Sequence, residues 1–269
     1  MPQQFVATLI EREEALPRNA LLRLAAPPGV AEAAAPGQFV MLQTGAAGSR
    51  DPLLARPFSI MRAAKGGGEG APGTLDLLVF TGGRGAGRLA AARPGDEFAA
   101  LGPLGSGYQL GGRVSRALLV AAGHGVAPLV GLAEQALARG VAVTLLLGAP
   151  TAAQLLPLAY LPDEAEVVVA TDDGSRGHHG VVTDLVGGYL EWADALYAYL
   201  PEALYPALRE TLRRARGARR PPPAQVAVER GMACGVGVCL GCVVETTAGL
   251  KTVCRDGPVF PLEQLVLES

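Results

Sequence analysis

The sequence predicts a multi-domain protein that combines an antiparallel β-barrel, a parallel α/β nucleotide-binding domain and a small C-terminal domain. Three observations support this prediction. The first part holds short apolar runs broken by glycine and proline, the middle alternates strand-like and helical runs, and the only four cysteines lie close together near the end. Because 269 residues exceed one typical domain, we place three domains at residues 1–112, 113–220 and 221–269.

Short strand-like runs define the first domain. They span residues 5–10, 20–24, 38–42, 58–61 and 75–80. Many short strands with glycine and proline between them are typical of a small β-barrel or sandwich. We therefore expect the first domain to be an antiparallel barrel.

Two motifs in this barrel suit a bound diphosphate. The first consists of Arg56, Pro57, Phe58 and Ser59, which close a strand. Its arginine offers a planar fork of donors that matches phosphate oxygens, and its serine can hydrogen-bond a ring system. The second is a glycine-rich turn in which Gly83, Gly85 and Ala86 open a helix and could present backbone N–H groups to phosphates. A flexible hairpin tip is the alternative interpretation of this turn.

Alternating strand-like and helical runs define the second domain. Residues 117–122, 141–147, 166–170 and 195–199 are strand-like, and helical stretches run to residue 138 and over residues 201–216. This alternation predicts a parallel sheet. Gly123 and Gly125 form a turn between the first strand and its helix, where open α/β sheets bind nucleotides. His124, between them, faces either a cofactor or solvent.

The cysteines define the third domain. Cys234, Cys239, Cys242 and Cys254 have the spacing Cys-x4-Cys-x2-Cys-x11-Cys, and small residues surround the first three. Plant-type [2Fe–2S] proteins use a Cys-x4-Cys-x2-Cys run with a more distant fourth ligand. The spacing therefore predicts a [2Fe–2S] cluster. Structural zinc is the alternative, although zinc sites usually bring their ligands as two separated pairs.

Composition narrows the possible partners and the compartment. A net charge of −2 provides no general attraction for nucleic acid. Charged residues, prolines and glycines interrupt every apolar run before the roughly 18 residues that a membrane span needs. All four cysteines belong to one group, and the first residues lack the pattern of a signal peptide. We expect a cytoplasmic protein that binds neither membranes nor nucleic acid.

These motifs, in this order, resemble the electron-transfer subunits of NAD-dependent dihydroorotate dehydrogenases. The resemblance extends over nearly the whole chain and is most specific at residues 229–242 and 253–260. It implies a ferredoxin-reductase-like fold with an FAD-binding barrel, an NAD-binding α/β domain and a [2Fe–2S] domain. It further implies an FMN-containing catalytic subunit as partner, in a heterotetramer with two copies of each subunit. Electrons would run from dihydroorotate through FMN, the cluster and FAD to NAD⁺, in pyrimidine biosynthesis.

By this resemblance, the site residues follow from the motifs. Arg56, Pro57, Phe58, Ser59, Gly83, Gly85 and Ala86 would bind FAD, Gly123 and Gly125 would bind NAD, and the four cysteines would bind the cluster. No residue of this chain would be catalytic towards dihydroorotate. Two other functions stay open: a flavin and iron–sulfur reductase subunit of another NAD(P)H- or ferredoxin-linked complex, and a structural or regulatory subunit that holds a cluster or zinc.

The chain departs from the family pattern near the expected nucleotide contacts. Ala86 replaces a threonine, which removes a hydroxyl near the diphosphate. Tyr199 and Leu200 stand where relatives carry Cys-Gly, so bulkier side chains are expected near the nicotinamide. Asp172 and Asp173 would favour NAD over NADP if they line that site, because they repel a 2′-phosphate; a turn and helix cap is the alternative.

Overall fold

The computed structural model describes residues 1–45, 51–68, 70–215 and 221–267. Its strands are β1 (Gln3–Leu16), β2 (Asn19–Ala26), β3 (Phe39–Leu42), β4 (Arg56–Ser59), β5 (Arg62–Ala64), β6 (Gly73–Phe80), β7 (Glu97–Leu104), β8 (Arg116–Ala122), β9 (Ala142–Ala149), β10 (Glu166–Thr171), β11 (His178–His179), β12 (Ala195–Tyr199), β13 (Ala224–Ala227), β14 (Val243–Thr246), β15 (Gly249–Thr252) and β16 (Val259–Pro261). Its α-helices are α1 (Pro28–Ala33), α2 (Arg84–Ala90), α3 (Val126–Leu137), α4 (Thr183–Val186) and α5 (Tyr205–Arg214). No helix in the four described ranges is long and apolar enough to cross a membrane.

The first sheet is antiparallel throughout, in the order β4-β3-β7-β1-β2-β6-β5. Its edge strands β4 and β5 are separated by only two residues, so the edges lie near each other and the sheet is curled. Alternate residues such as Leu22 and Leu24 of β2 and Leu75 and Leu77 of β6 are fully buried on its inner face. The predicted β-barrel fold class is thus confirmed. The sequence analysis did not foresee strand β7, because a Gly-Pro pair interrupts it.

The second sheet has the order β11-β10-β9-β8-β12-β13-β16, and all its pairs are parallel except β13 with β16. Successive residues of β8 point to opposite faces. Leu119 joins the core beneath α3, whereas Leu118 and Val120 join the core beneath α5. Helices therefore cover both faces of the sheet, as the predicted α/β class requires.

The C-terminal segment contributes to more than one unit. After Pro221-Pro222-Pro223 it adds β13 and β16 to the second sheet, and it forms the separate hairpin β14–β15. Its buried Cys242 and Cys254 belong to the same core as Met41 and Leu104 of the first sheet. The cysteine segment is therefore packed against the barrel as well as against the parallel sheet. The domain boundaries given above remain predictions.

Candidate functional site

A cavity of about 890 Å³ lies between the two sheets. One wall comes from the β1–β2 turn and from β6, and the other comes from the turns that follow β8, β9, β10 and β12. The carboxyl ends of parallel strands are where open α/β sheets bind ligands. A second cavity of about 240 Å³ shares Phe80, His124 and Tyr199 with the first. The volume of the larger cavity is within the usual range for ligand sites.

Strand β4 carries the first predicted motif to the smaller cavity. Pro57, Phe58 and Ser59 line this cavity. Proline is tolerated here because β4 is an edge strand. Arg56 does not line either cavity; its Nη1 donates a hydrogen bond to the carbonyl oxygen of Leu54, 2.9 Å away. The arginine is half-buried, and among the described residues its guanidinium has backbone carbonyl oxygens rather than a carboxylate as partners.

The glycine-rich turn lies against Arg56, and its two predicted glycines differ. Gly83 has open space around it, whereas a Cβ built on Gly85 would lie 3.3 Å from Arg56 Nε and 3.0 Å from Thr44 Oγ1. Thr44 is buried, and its Oγ1 has no hydrogen-bond partner in the part of the chain that the structure describes. Ala86 packs its methyl group against the barrel core. A polar cradle forms here from the Arg56 guanidinium, the buried Thr44 hydroxyl and the closely packed backbone of Gly85. Such a cradle is suited to an anionic group.

The turn after β8 forms the opposite wall of the cavity. Gly123 has a φ of +57°, which favours glycine. A Cβ on Gly125 would lie 2.5 Å from the carbonyl oxygen of Tyr199, so only glycine lets β8 and β12 end this close together. His124 lines the cavity and is also exposed to solvent, so both orientations that its sequence context left open remain. Its Nε2 lies 3.2 Å from Glu229 Oε2, and this hydrogen bond raises the pKa of His124.

Tyr199 and Leu200 have different environments. Tyr199 lines both cavities, its ring centroid lies 6.0 Å from that of His124, and it borders the smaller cavity together with Ser59. Burial is the main reason why its pKa is well above the ordinary value. Leu200 also lines the larger cavity but is only 3% exposed, and its N–H donates to the hydroxyl of Tyr205. Tyr199 therefore lies beside both the flavin motif, at Ser59, and the nucleotide turn, at His124.

The two neighbouring aspartates also differ. Asp172 lines the larger cavity, whereas Asp173 does not. The Oδ1 of Asp173 accepts hydrogen bonds from both the N–H and the hydroxyl of Ser175, at 3.0 and 2.6 Å. Asp173 therefore shapes the turn after β10, and of these two aspartates only Asp172 faces the larger cavity.

The cysteine segment curls tightly around its sulfur atoms. Three positive φ values, +72° at Gly235, +79° at Gly237 and +55° at Leu240, reverse the backbone repeatedly. The N–H of Gly237 donates to Cys254 Sγ at 3.0 Å, and the N–H of Cys254 donates to Cys242 Sγ at 3.4 Å. Backbone donors aimed at sulfur are suited to thiolates that bind an iron–sulfur cluster.

The four sulfur atoms differ in environment. Cys242 and Cys254 are buried, Cys234 is half-buried and Cys239 is exposed. Burial raises the pKa of Cys254 to about 12. Burial would also raise that of Cys234, but the N–H groups of Cys239 and Val236 outweigh it and lower the pKa to about 6. Within the described ranges, no three His, Cys, Asp or Glu side chains are grouped to hold a single metal ion. A [2Fe–2S] cluster takes four thiolates shared between two irons.

Solved structures establish the class of fold. The chain superposes on a structure of an NADH-dependent reduced ferredoxin-NADP oxidoreductase with a TM-score of 0.81 and 24% identity, covering 97% of this chain and 90% of that one. A ferredoxin reductase from carbazole 1,9a-dioxygenase gives a TM-score of 0.67 and 19% identity, covering 81% and 67% of the two chains. The fold is therefore that of the ferredoxin reductases.

Sequence comparison then gives the family. Residues 229–266 match the iron-sulfur cluster binding domain of dihydroorotate dehydrogenase B. The electron transfer subunit of dihydroorotate dehydrogenase B (NAD(+)) from Desulforamulus reducens is 36% identical, with 90% of each chain covered. That from Bacillus caldolyticus is 40% identical, with 88% of this chain and 89% of the relative covered. The chain belongs to this family of electron-transfer subunits, and it is a component of an oxidoreductase. Family and fold together support FAD, an iron–sulfur cluster and NAD as its cofactors.

The structure thus adds residues to the site that the sequence analysis missed. Arg18 lines the larger cavity, Thr44 lies in the cradle beside Gly85, and Glu229 pairs with His124. Arg18 and Thr44 are isolated polar residues without a motif around them, so no local signal could have selected them. Glu229 lies within a specific stretch of the family resemblance, but nothing in that stretch pairs it with a residue 105 positions away.

Proposed function

We propose that this chain carries electrons between an FMN-containing dihydroorotate dehydrogenase subunit and NAD⁺, in pyrimidine biosynthesis. One observation carries the proposal. The smaller cavity is lined by Phe58 and Ser59 of the flavin motif, by His124 of the nucleotide turn and by Met232, two residues before the first cysteine. Three motifs that are distant in sequence therefore converge on one small space. Electron transfer between cofactors requires such convergence.

The flavin site consists of the residues around the polar cradle. Arg56 supplies a positive charge, and Gly83, Gly85 and Ala86 supply backbone donors to a diphosphate. Pro57, Phe58 and Ser59 border the space for the ring system. The orphaned hydroxyl of Thr44 supports this assignment, because a buried polar group without a partner indicates a missing ligand or water. When bound, FAD exchanges an electron pair with a nicotinamide and single electrons with a cluster.

The nicotinamide site is the larger cavity. Gly123 and Gly125 let a dinucleotide approach the backbone after β8. Asp172 repels a 2′-phosphate and so favours NAD over NADP. Tyr199 lines both this cavity and the smaller cavity that Ser59 borders, where its ring restricts the approach of a nicotinamide to the flavin.

Cys234, Cys239, Cys242 and Cys254 bind the [2Fe–2S] cluster in this proposal. The adjoining surface is apolar: Val236 is 41%, Val238 78% and Leu240 65% exposed. Exposed apolar side chains grouped in one loop are typical of an interaction surface. We assign this loop to the FMN-containing subunit, in a heterotetramer with two copies of each subunit in the cytoplasm. The domain functions follow: FAD for residues 1–112, NAD for 113–220 and the cluster for 221–269.

Co-purification tests the proposal directly. The chain, co-expressed with an FMN-containing dihydroorotate dehydrogenase catalytic subunit from the same organism, is expected to yield a complex with about one FAD, two irons and two acid-labile sulfides per copy of this chain. Dihydroorotate should then reduce NAD⁺ only when both subunits are present. Stoichiometric zinc without sulfide would refute the cluster assignment. A complex that contains the cofactors but leaves dihydroorotate unoxidised would instead indicate a reductase subunit of another system.

A further inference from the structure

The larger cavity has few charged side chains in its walls. They are Arg18, His124, Asp172 and Glu229. His124 and Glu229 pair with each other, at 3.2 Å. Among the described residues, Arg18 has no carboxylate within ion-pair distance. Arg18 is therefore the cation of this cavity that remains available to a ligand.

The backbone holds Arg18 in an unusual conformation. Pro17 and Arg18 form the two-residue turn between β1 and β2, and Arg18 has a φ of +61°. Glycine or asparagine would adopt this left-handed conformation at lower cost, so the position does not select arginine for its backbone. Residues in strained backbone conformations cluster at ligand sites, so the Arg18 side chain is a candidate ligand contact.

The Arg18 side chain is also oriented. Its guanidinium carbon lies 5.1 Å from the ring centroid of Phe80, which is a cation–π contact. The carbonyl oxygen of Arg18 accepts a hydrogen bond from the N–H of Thr81 at 2.8 Å. A Cβ on Gly82 would lie 2.6 Å from Arg18 Nη2 and 2.6 Å from the Phe80 ring. Glycine at position 82 thus leaves room for the stacked pair at the start of the glycine-rich turn.

We propose that Arg18 binds a phosphate group of a dinucleotide in this cavity. The inference rests on the proposed function, which brings two dinucleotides, FAD and NAD, to this side of the barrel. Both carry a diphosphate with two negative charges, and a guanidinium fork binds such oxygens with two parallel hydrogen bonds. Arg18 lies beside both the cavity and the glycine-rich turn, so either diphosphate has the chemistry that Arg18 recognises.

Binding measurements on three variants of the full chain, in the complex with its partner, test the inference. Arg18→Gly removes the charge and relaxes the turn, Arg18→Lys keeps the charge without the planar fork, and Arg12→Ala removes an exposed arginine of β1 that lines neither cavity. FAD is titrated into flavin-depleted protein, and NAD⁺ and ADP are titrated into FAD-loaded protein, at two salt concentrations.

Arg18→Gly is expected to weaken the binding of one dinucleotide about tenfold or more and to reduce its salt dependence, with Arg18→Lys intermediate and Arg12→Ala unchanged. Weakened FAD binding alone assigns Arg18 to the flavin diphosphate, whereas weakened NAD⁺ and ADP binding assigns it to the nicotinamide dinucleotide. Wild-type affinities for both in Arg18→Gly would overturn the inference and leave the proposed function standing. A wild-type complex that binds neither FAD nor NAD⁺ would overturn the proposed function and, with it, the inference.

Discussion

Replacement of Arg56 by alanine should weaken FAD binding far more than it weakens the fold. The Arg56 guanidinium contacts the carbonyl of Leu54 at an exposed site, so water can replace that hydrogen bond. We expect the free energy of unfolding to fall by less than about 1 kcal/mol. The lost charge-assisted contact to a diphosphate costs about 1.5–3 kcal/mol. This corresponds to a dissociation constant raised roughly ten- to a hundredfold.

The assay is a titration of flavin-depleted protein with FAD, followed by flavin fluorescence. Arg12→Ala is the matched control, because it removes the same charge from the same sheet at an exposed position outside both cavities. Thermal unfolding of both variants without FAD separates loss of binding from loss of structure. Subtracting the change in FAD affinity that Arg12→Ala causes corrects for the effect of the protein's overall electrostatic field on FAD binding.

Equal FAD affinity in Arg56→Ala and the wild type would refute the reasoning. In that case the cradle formed by Arg56, Gly85 and Thr44 would not hold the diphosphate. A large loss of stability without flavin would also contradict it, because the backbone contact to Leu54 would then matter more than its exposure suggests.

Three further predictions address the nicotinamide, the partner and pH. Tyr199→Cys should let NADH bleach the flavin faster in stopped flow; equal rates would place the ring clear of the nicotinamide. Adding Leu200→Gly, which restores the family pair, should cost about 2–5 kcal/mol of stability, because Leu200 is buried; urea unfolding measures it, and an unchanged midpoint would contradict it. Val238→Glu should weaken binding of the catalytic subunit at least about tenfold by surface plasmon resonance, with iron and sulfide retained and with Leu158→Glu as an exposed control; unchanged binding would place the interface elsewhere. The hydrogen bond to Glu229 raises the pKa of His124, and the same bond lowers that of Glu229. The hydrogen bond between His124 and Glu229 should therefore stabilise the fold fully between pH 4.5 and pH 6.5, the ordinary pKa values of Glu and His. Its contribution to the free energy of unfolding should decline as pH rises through the raised pKa of His124. In urea unfolding, the free energy of unfolding of the wild type should exceed that of Glu229→Gln by more at pH 5.5 than at pH 8.5. A larger difference at pH 8.5 would contradict the assigned direction of the His124 pKa shift.

Local patterns in the sequence predicted most of the architecture. Strand-like runs, the alternation of strands and helices, and the cysteine spacing each depend on residues close together in the chain, and both predicted sheet classes are present. The missed strand β7 shows the limit of such patterns. Its pairing with β1 and β3 compensates for a glycine and a proline that weaken the local signal.

The tertiary structure alone decided how the motifs are combined. The turn at Arg18 reaches the glycine-rich turn, Thr44 meets Gly85, and His124 meets Glu229 across 105 positions. The cysteine segment packs on the barrel although two of its neighbouring strands belong to the parallel sheet. Such contacts depend on how the two sheets pack and on which side chains this packing buries, and no spacing along the chain encodes them. The sequence by itself therefore predicted the individual motifs, whereas only the packing of the sheets brought Ser59, His124 and Met232 to one cavity.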